Sequence, residues 1–206
     1  MPPIWGLLLV PALCRADLEV DSLLAQLARP PPATTAFVEV RFSKLLDRPL
    51  IVKGQLGYLE GGVLTRTVNE PFRERTEIRG DSVDVQREGQ PSRRFSLKHT
   101  PELRGMLGSF AAVLGDSRAA LEQDFNLTLA GDARHWHLNL TPKSPQLGRY
   151  LHDLAIQGQG NEPRCIVVTQ PNEYASVMLL GAAANASLPA PVSRAWLNGF
   201  CDSDGA

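Results

Sequence analysis

Between residues 17 and 28, Val20, Leu23, Leu24 and Leu27 recur at helical spacing, with acidic residues near the start, and predict an amphipathic helix. Arg29-Pro30-Pro31-Pro32 ends it, because proline has no N–H to donate and disfavours helix in the residue before it. The period of the pattern then shortens to two. In residues 37–42, Val38, Val40 and Phe42 fall on one face and Glu39 and Arg41 on the other, which predicts a strand with an apolar side and a polar side. A second strand is expected at Leu50–Leu59, where Gly54 and Gly57 suggest bends. Gly61-Gly62 is a hairpin signal, and residues 63–68 return alongside.

Residues 72–79 are dense in charge, with Arg73, Glu74, Arg75, Glu77 and Arg79, and read as a strand that shows alternating charge to water. Turns at Gly80-Asp81 and Gly89-Gln90-Pro91 separate short strands at 82–86 and 94–97. A long helical pattern follows over residues 101–114, where Leu103, Met106, Leu107, Phe110, Val113 and Leu114 form an apolar stripe. Thr100 suits its N-cap, Pro101 its first turn and Gly115 its stop. A shorter helix carrying Leu121 is expected at 117–124. Strands resume at 125–129 and 135–140, the latter alternating Trp136, Leu138 and Leu140 with polar residues. A turn of helix at 146–151 and strands at 153–157, 164–170 and 174–180 close the pattern. Residues 182–206, rich in Ala, Pro and Ser, read as an extended tail docked through Trp196, Phe200 and Cys201. Short strands each followed by a turn signal describe a largely antiparallel sheet.

Composition narrows the class. The chain has 206 residues and a formal net charge of -1, which suits one domain and leaves no electrostatic footprint for nucleic acid. Residues 4–13 are an uncharged apolar run, too short to span a membrane, and small Ala16 precedes Asp17. This resembles a secretory signal peptide over residues 1–16, although its first residues carry no Lys or Arg; a buried N-terminal strand is the alternative. The expected organisation is therefore a signal segment at 1–16, a domain at 17–181 and a tail at 182–206 in an exported protein. Cys14 falls in the removed segment. The remaining pair, Cys165 and Cys201, suggests a disulfide, with two free buried thiols as the alternative.

Catalytic signals are weak. His135 and His137 share a strand face, a spacing that can bind zinc, but a site needs a third ligand and neither His99 nor His152 has supporting spacing. They read as solvent-facing histidines beside a buried Trp136. Glu60, Glu70, Glu74, Asp81 and Asp84 form no recognisable acid–base pair, and there is no Gly-x-Ser-x-Gly and no phosphate-cradling glycine loop. The expectation is a protein that is not an enzyme and uses no cofactor or metal. Tyr58, Arg66 and Arg73 could contact a polar headgroup if they point inward; otherwise they are surface strand residues.

The order of parts resembles the LolA-like family of outer-membrane lipoprotein carriers over residues 18–180. The resemblance is carried by the N-terminal helix, the strand Val38-Glu39-Val40-Arg41-Phe42-Ser43-Lys44, Gly54-Gln55-Leu56, Asn69-Glu70-Pro71-Phe72, Ile78-Arg79-Gly80-Asp81-Ser82-Val83, the mid-chain helix pair and Leu140-Thr141-Pro142-Lys143. It implies an α+β fold: a strongly curved antiparallel β-sheet, a half or unclosed barrel, with an N-terminal helix and a helical lid. It also implies a periplasmic carrier of lipoproteins or other lipid-linked cargo, working as a monomer between an inner-membrane donor complex and an outer-membrane acceptor. On that reading Val38, Val40, Phe42, Leu56, Tyr58, Trp136 and Leu138 line the trough, and Leu103, Met106, Leu107, Phe110, Val113 and Leu114 cover it. A lipid- or lipoprotein-sensing module of the same fold is the alternative, and a small enzyme using the half-barrel as a chamber a further one. In one place the chain departs from the family: the Arg-Pro pair that usually follows the Gly-x-Leu strand, whose arginine fastens the lid to the sheet, is replaced by Leu59-Glu60-Gly61-Gly62. A divergent branch carrying another acylated molecule fits that departure.

Overall fold

The computed structural model describes residues 19–97, 118–171 and 174–203. The expected signal segment and the expected lid helix at 101–114 lie outside the described residues. One helix, α1 (Val20–Leu27), precedes six strands: β1 (Ala33–Phe42), β2 (Leu50–Leu59), β3 (Val63–Glu70), β4 (Glu74–Arg79), β5 (Ser82–Arg87) and β6 (Arg93–Ser96). Beyond them come α2 (Arg118–Asp124), β7 (Phe125–Gly131), β8 (Trp136–Pro142), α3 (Pro145–Gly148), β9 (Asp153–Gln159), β10 (Glu162–Thr169), β11 (Ala175–Leu180) and α4 (Arg194–Asp202).

All eleven strands form one sheet in the order β6-β5-β4-β3-β2-β1-β11-β10-β9-β8-β7. Two meanders, β1 to β6 and β7 to β11, are joined in the sheet where β1 pairs antiparallel with β11, Phe37 opposite Leu180 and Val40 opposite Val177. The outer strands β6 and β7 are not paired with each other, so the sheet curves strongly but does not close into a barrel. β1 begins four residues before the expected strand, at Ala33. Residues 33–36 hold no large side chain that a periodic pattern could catch, but they continue the ladder along β2 as far as Tyr58.

The curvature follows from packing. Leu23, Leu24 and Leu27 of α1 belong to one apolar core with residues from eight adjacent strands, among them Val68 of β3 at one flank and Phe125 of β7 at the other. Eight strands laid flat are about 34 Å across, whereas an eight-residue helix is about 12 Å long. Both flanks reach the same core because the sheet bends around α1, which makes the α1 side the hollow side. Arg29, just past the helix, is bonded across to the carbonyl oxygen of Asn161 in the β9–β10 turn at 2.6 Å. Two close approaches on this side need glycine. A Cβ on Gly158 would lie 2.3 Å from the indole of Trp136, and one on Gly54 would lie 1.9 Å from the carbonyl oxygen of Thr67 and 3.0 Å from the Phe37 ring.

The opposite side carries a second core. Val40, Cys165, Val177 and Leu179 pack against Ala183, Val192, Leu197 and Cys201, with Phe42, Ile51, Val167, Trp196 and Phe200 at its margin. Residues 181–203 are thus more than the extended tail expected from their composition. They include the helix α4, whose Ser193 hydroxyl accepts the N–H of Trp196 as an N-cap. Cys165 and Cys201 form the expected disulfide, with their Cα atoms 5.9 Å apart. Arg164 donates to the Ser203 carbonyl at 2.7 Å and so clasps the end of α4 to β10.

The disulfide closes a loop across 36 residues, and in the chain-entropy model this stabilises by about 3–4 kcal/mol. Cys201→Ser is expected to lower denaturant stability by about 2–4 kcal/mol, and reduced wild type to unfold at the same midpoint as the variant. Equal midpoints for oxidised wild type and the variant, read from equilibrium unfolding, would show that the bond is not formed.

Candidate functional site

Strand alternation and register assign the expected binding residues to faces. Phe37, Glu39 and Arg41 lie opposite Gly54, Val52 and Leu50, and therefore share the hollow side with Leu56 and Tyr58. Val38 and Val40 lie opposite Lys53 and Ile51, on the other side. The expected face of β1 is thereby corrected: Val40 and Phe42 are packed in the core under α4, and Val38 points with them away from the hollow. The reason is that β1 is the middle of the sheet and is covered on both faces. Its apolar alternation satisfies the tail side, while Phe37 serves the α1 side.

Trp136 and Leu138 are on the hollow side as expected, but they are 1% and 0% exposed and packed with Leu154, Ile156 and the leucines of α1. They are solid core, and the Trp136 indole N–H is satisfied by the Gly160 carbonyl at 2.8 Å. Among the described residues the less deeply buried part of the hollow lies on the other half of the sheet. Tyr58 of β2, Leu64 of β3, Ile78 of β4 and Val83 of β5 are neighbours by register, with Leu56 and Val85 beside them on the same face; Val83 is buried and the others are half-buried. They lead to Phe95 of β6, which is exposed at the sheet edge. This apolar wall, and not the β1 alternation, is the surface on which a hydrocarbon chain could rest.

At the seam between packed core and open wall stands a polar cluster that alternation alone assigned to water. The Glu39 carboxylate is buried and accepts from Arg66 at 2.6 Å and from Arg41 at 2.8 Å. The Arg66 guanidinium also lies over the Phe37 ring, 4.8 Å from its centre, and 3.9 Å from Glu74. Burial works to raise the Glu39 carboxyl, but the bonds and charge of Arg41, then of Arg66, outweigh it and hold the group below the ordinary glutamate value. The same contacts raise Arg41 against the opposing effect of burial. Tyr174, half-buried nearby, is raised chiefly by burial, with Glu39 adding to that and the two arginines opposing it. Of the other charges of this half-sheet, Arg75 and Arg79 both pair with Glu77 and Arg94 with Asp84 on the outer side, exposed contacts of small value each.

The histidines are on the tail side of β8. His137 is 3.1 Å from the Gln157 amide and 3.7 Å from Asp202 of α4, and His135 is 2.7 Å from the Gln159 amide. Among the described residues no group of three or more His, Cys, Asp or Glu is placed to hold a metal ion. Among the same residues no helix is long and apolar enough to cross a membrane.

The model of the outer membrane lipoprotein carrier protein LolA-like family matches residues 12–202. The chain belongs to that family. The match takes in α4 and the disulfide cysteines Cys165 and Cys201, so the covered tail side is part of the family unit. Among solved structures, a LolA superfamily protein from Nitrosomonas europaea is similar at 11% identity and a TM-score of 0.43, over 91% of this chain and 99% of that one. LprF from Mycobacterium bovis is similar at 14% identity and a TM-score of 0.35, over 84% and 97%. The MucA/MucB complex of Pseudomonas aeruginosa is similar at 10% and 0.39, over 86% of this chain and 59% of that one. No curated protein matches the chain.

In this LolA-like chain the residues that sequence reasoning missed are Phe37, Glu39 and Arg41. Their one signal is a charged pair inside an otherwise apolar strand, and it becomes informative only once the strand is known to be central. Because Glu39 has a folded-state pKa below its unfolded value, its stabilisation is complete above the ordinary glutamate value and is lost as pH falls through the folded value. Glu39→Ala is expected to destabilise by about 3–5 kcal/mol near neutrality, since it leaves two guanidiniums sharing no carboxylate at that point. The difference from wild type should shrink as the solution is acidified, in denaturant melts taken from neutral to acid pH. A difference that stays constant would remove Glu39 from the acid-sensitive part of the fold.

Proposed function

We propose that this protein is a periplasmic carrier of lipoproteins or other lipid-linked hydrophobic molecules towards the outer membrane. The family match over residues 12–202 carries the reading. The open sheet edges and the half-buried apolar wall from Leu56 to Val85 support it. An acyl chain gains about 0.8 kcal/mol for each CH₂ that leaves water, so a molecule with two or three long chains does not cross an aqueous compartment unaided. A curved sheet with one side solidly packed and its neighbour half-covered offers the chains a wall without first having to unfold a core.

Delivery on this scheme makes and breaks no covalent bond, so the protein acts as a carrier and not as an enzyme. Residues 1–16 direct export and are removed, and the carrier domain expected at 17–181 takes in the C-terminal segment that packs on it. Residues 101–114, with Leu103, Met106, Leu107, Phe110, Val113 and Leu114, cover the wall and move aside for transfer. Loading takes place at an inner-membrane donor, and release at an outer-membrane acceptor with higher affinity for the cargo.

Native mass spectrometry of the protein recovered from the periplasm of its own host tests this. An acylated molecule is expected to travel with the wild type and to be lost from Phe110→Asp, whose sheet stays folded by circular dichroism. A wild-type protein that arrives without any acylated molecule and takes up no fluorescent fatty acid in solution would overturn the proposal.

A further inference from the structure

The Glu39 cluster stands where simple stability does not favour it. Replacing a buried ion pair by well-packed apolar residues is commonly neutral or stabilising, so charge retained on an apolar wall calls for a reason beyond folding. Its internal balance is also incomplete. One carboxylate oxygen of Glu39 serves both Arg41 and Arg66. Arg66 has a second acidic neighbour in Glu74 at 3.9 Å, whereas among the described residues the ion pair of Arg41 is with Glu39 and Glu74 acts on it only through charge. The Arg41 Nε–H is buried and has no hydrogen-bond partner among the described residues. Yet the Arg41 and Arg66 side chains keep 29% and 21% of their surface exposed, so the cluster can be reached from the hollow.

The neighbourhood completes the picture. Arg66 is directly opposite Leu56 in the β2–β3 ladder and reaches the Glu39 carboxylate, where it meets Arg41, which stands opposite Leu50 farther along β2, so the cluster extends along the hollow face from the first residues of the apolar wall. The Tyr174 phenol, within electrostatic reach of Glu39 and both arginines, stays protonated at neutral pH and adds a hydrogen-bond donor. A planar guanidinium with spare donors, in a partly dry site, suits a carboxylate or phosphate oxygen.

We propose that Arg41, held in place by Glu39 and backed by Arg66, receives the anionic head of the cargo, a carboxylate or phosphate whose hydrocarbon lies along Leu56, Leu64 and Ile78. This deepens the carrier reading and rests on it: the protein selects acidic amphiphiles over neutral ones of equal chain length. Glu39 is here a positioning residue, and Arg41 the one that touches the ligand.

The test uses the mature protein and two fluorescent probes with the same chain, cis-parinaric acid and its methyl ester. Wild type is expected to bind the acid about tenfold or more tighter than the ester, the scale of a hydrogen bond to a charged group. Arg41→Gln should remove most of that ratio while ester binding is kept, and Arg41→Lys should restore part of it. Inorganic phosphate should displace the acid only at concentrations far above the acid's own, and should leave the ester bound. Equal binding of acid and ester by wild type, which needs no variant to fold, would overturn the inference while leaving the carrier reading in place. So would an Arg41→Gln protein that loses both probes equally. Phosphate alone binding as tightly as the acid would assign the site to a free small anion and likewise overturn the lipid-head assignment. Failure of wild type to bind either probe would overturn the carrier reading, and this inference with it.

Discussion

A strand in the middle of a sheet has two faces to keep from water, and β1 is the strand through which the two meanders of this protein are joined. Everything else in the fold answers that requirement. On one side the leucines of α1 fill the hollow and draw in strands from both flanks. On the other, residues 183–201 lie over Val40, Val177 and Leu179 and are pinned to β10 by the disulfide. Removing either cover leaves an apolar face of the central strands open, which is why the C-terminal segment belongs to the domain physically and why the family match extends through it to residue 202.

The hollow side divides into two halves with different properties. Over β7 to β11 the wall is closed by α1, α2 and α3, with Trp136, Leu138, Leu154 and Ile156 almost unexposed and Leu127, Leu129, Val168 and Met178 half-buried against them. Over β2 to β6, inward Val52, Val68 and Val83 are buried, Leu56, Tyr58, Leu64, Ile78 and Val85 are half-buried, and the face is interrupted by charge. The Glu39–Arg41–Arg66 cluster marks the boundary. Such a division lets one sheet do two things: hold itself together on one half, and present a partly wetted apolar surface on the other.

Much of this was readable from local pattern. The strand starts and turns follow the Gly61-Gly62 and Gly80-Asp81 signals, the helix at Arg118–Asp124 matches the one expected at 117–124, the turn of helix expected at 146–151 is found at Pro145–Gly148, and the pair Cys165–Cys201 is bonded. The sheet order was not readable, because the β1–β11 pairing spans most of the chain and leaves no local trace. From that gap came the error over β1: an alternating strand looks half-buried whether its polar side faces water or a buried ion-pair network. It also made Trp136 and Leu138 look like trough lining when they are sealed core. The helix α4 hid in a Pro- and Ala-rich segment, although Ser193 followed by Trp196, Leu197, Phe200 and Cys201 has the cap and spacing of a short amphipathic helix.

The central claim is that hydrocarbon occupies the β2–β6 half of the hollow side. Photo-crosslinking with a diazirine-bearing fatty acid, followed by peptide mapping, tests it most directly. Label is predicted on Leu56, Tyr58, Leu64, Ile78 or Val85, and not on the tail side at Val40, Phe42, Val177 or Leu197. Label concentrated on those tail-side residues, or spread evenly over the outer surface, would contradict the account.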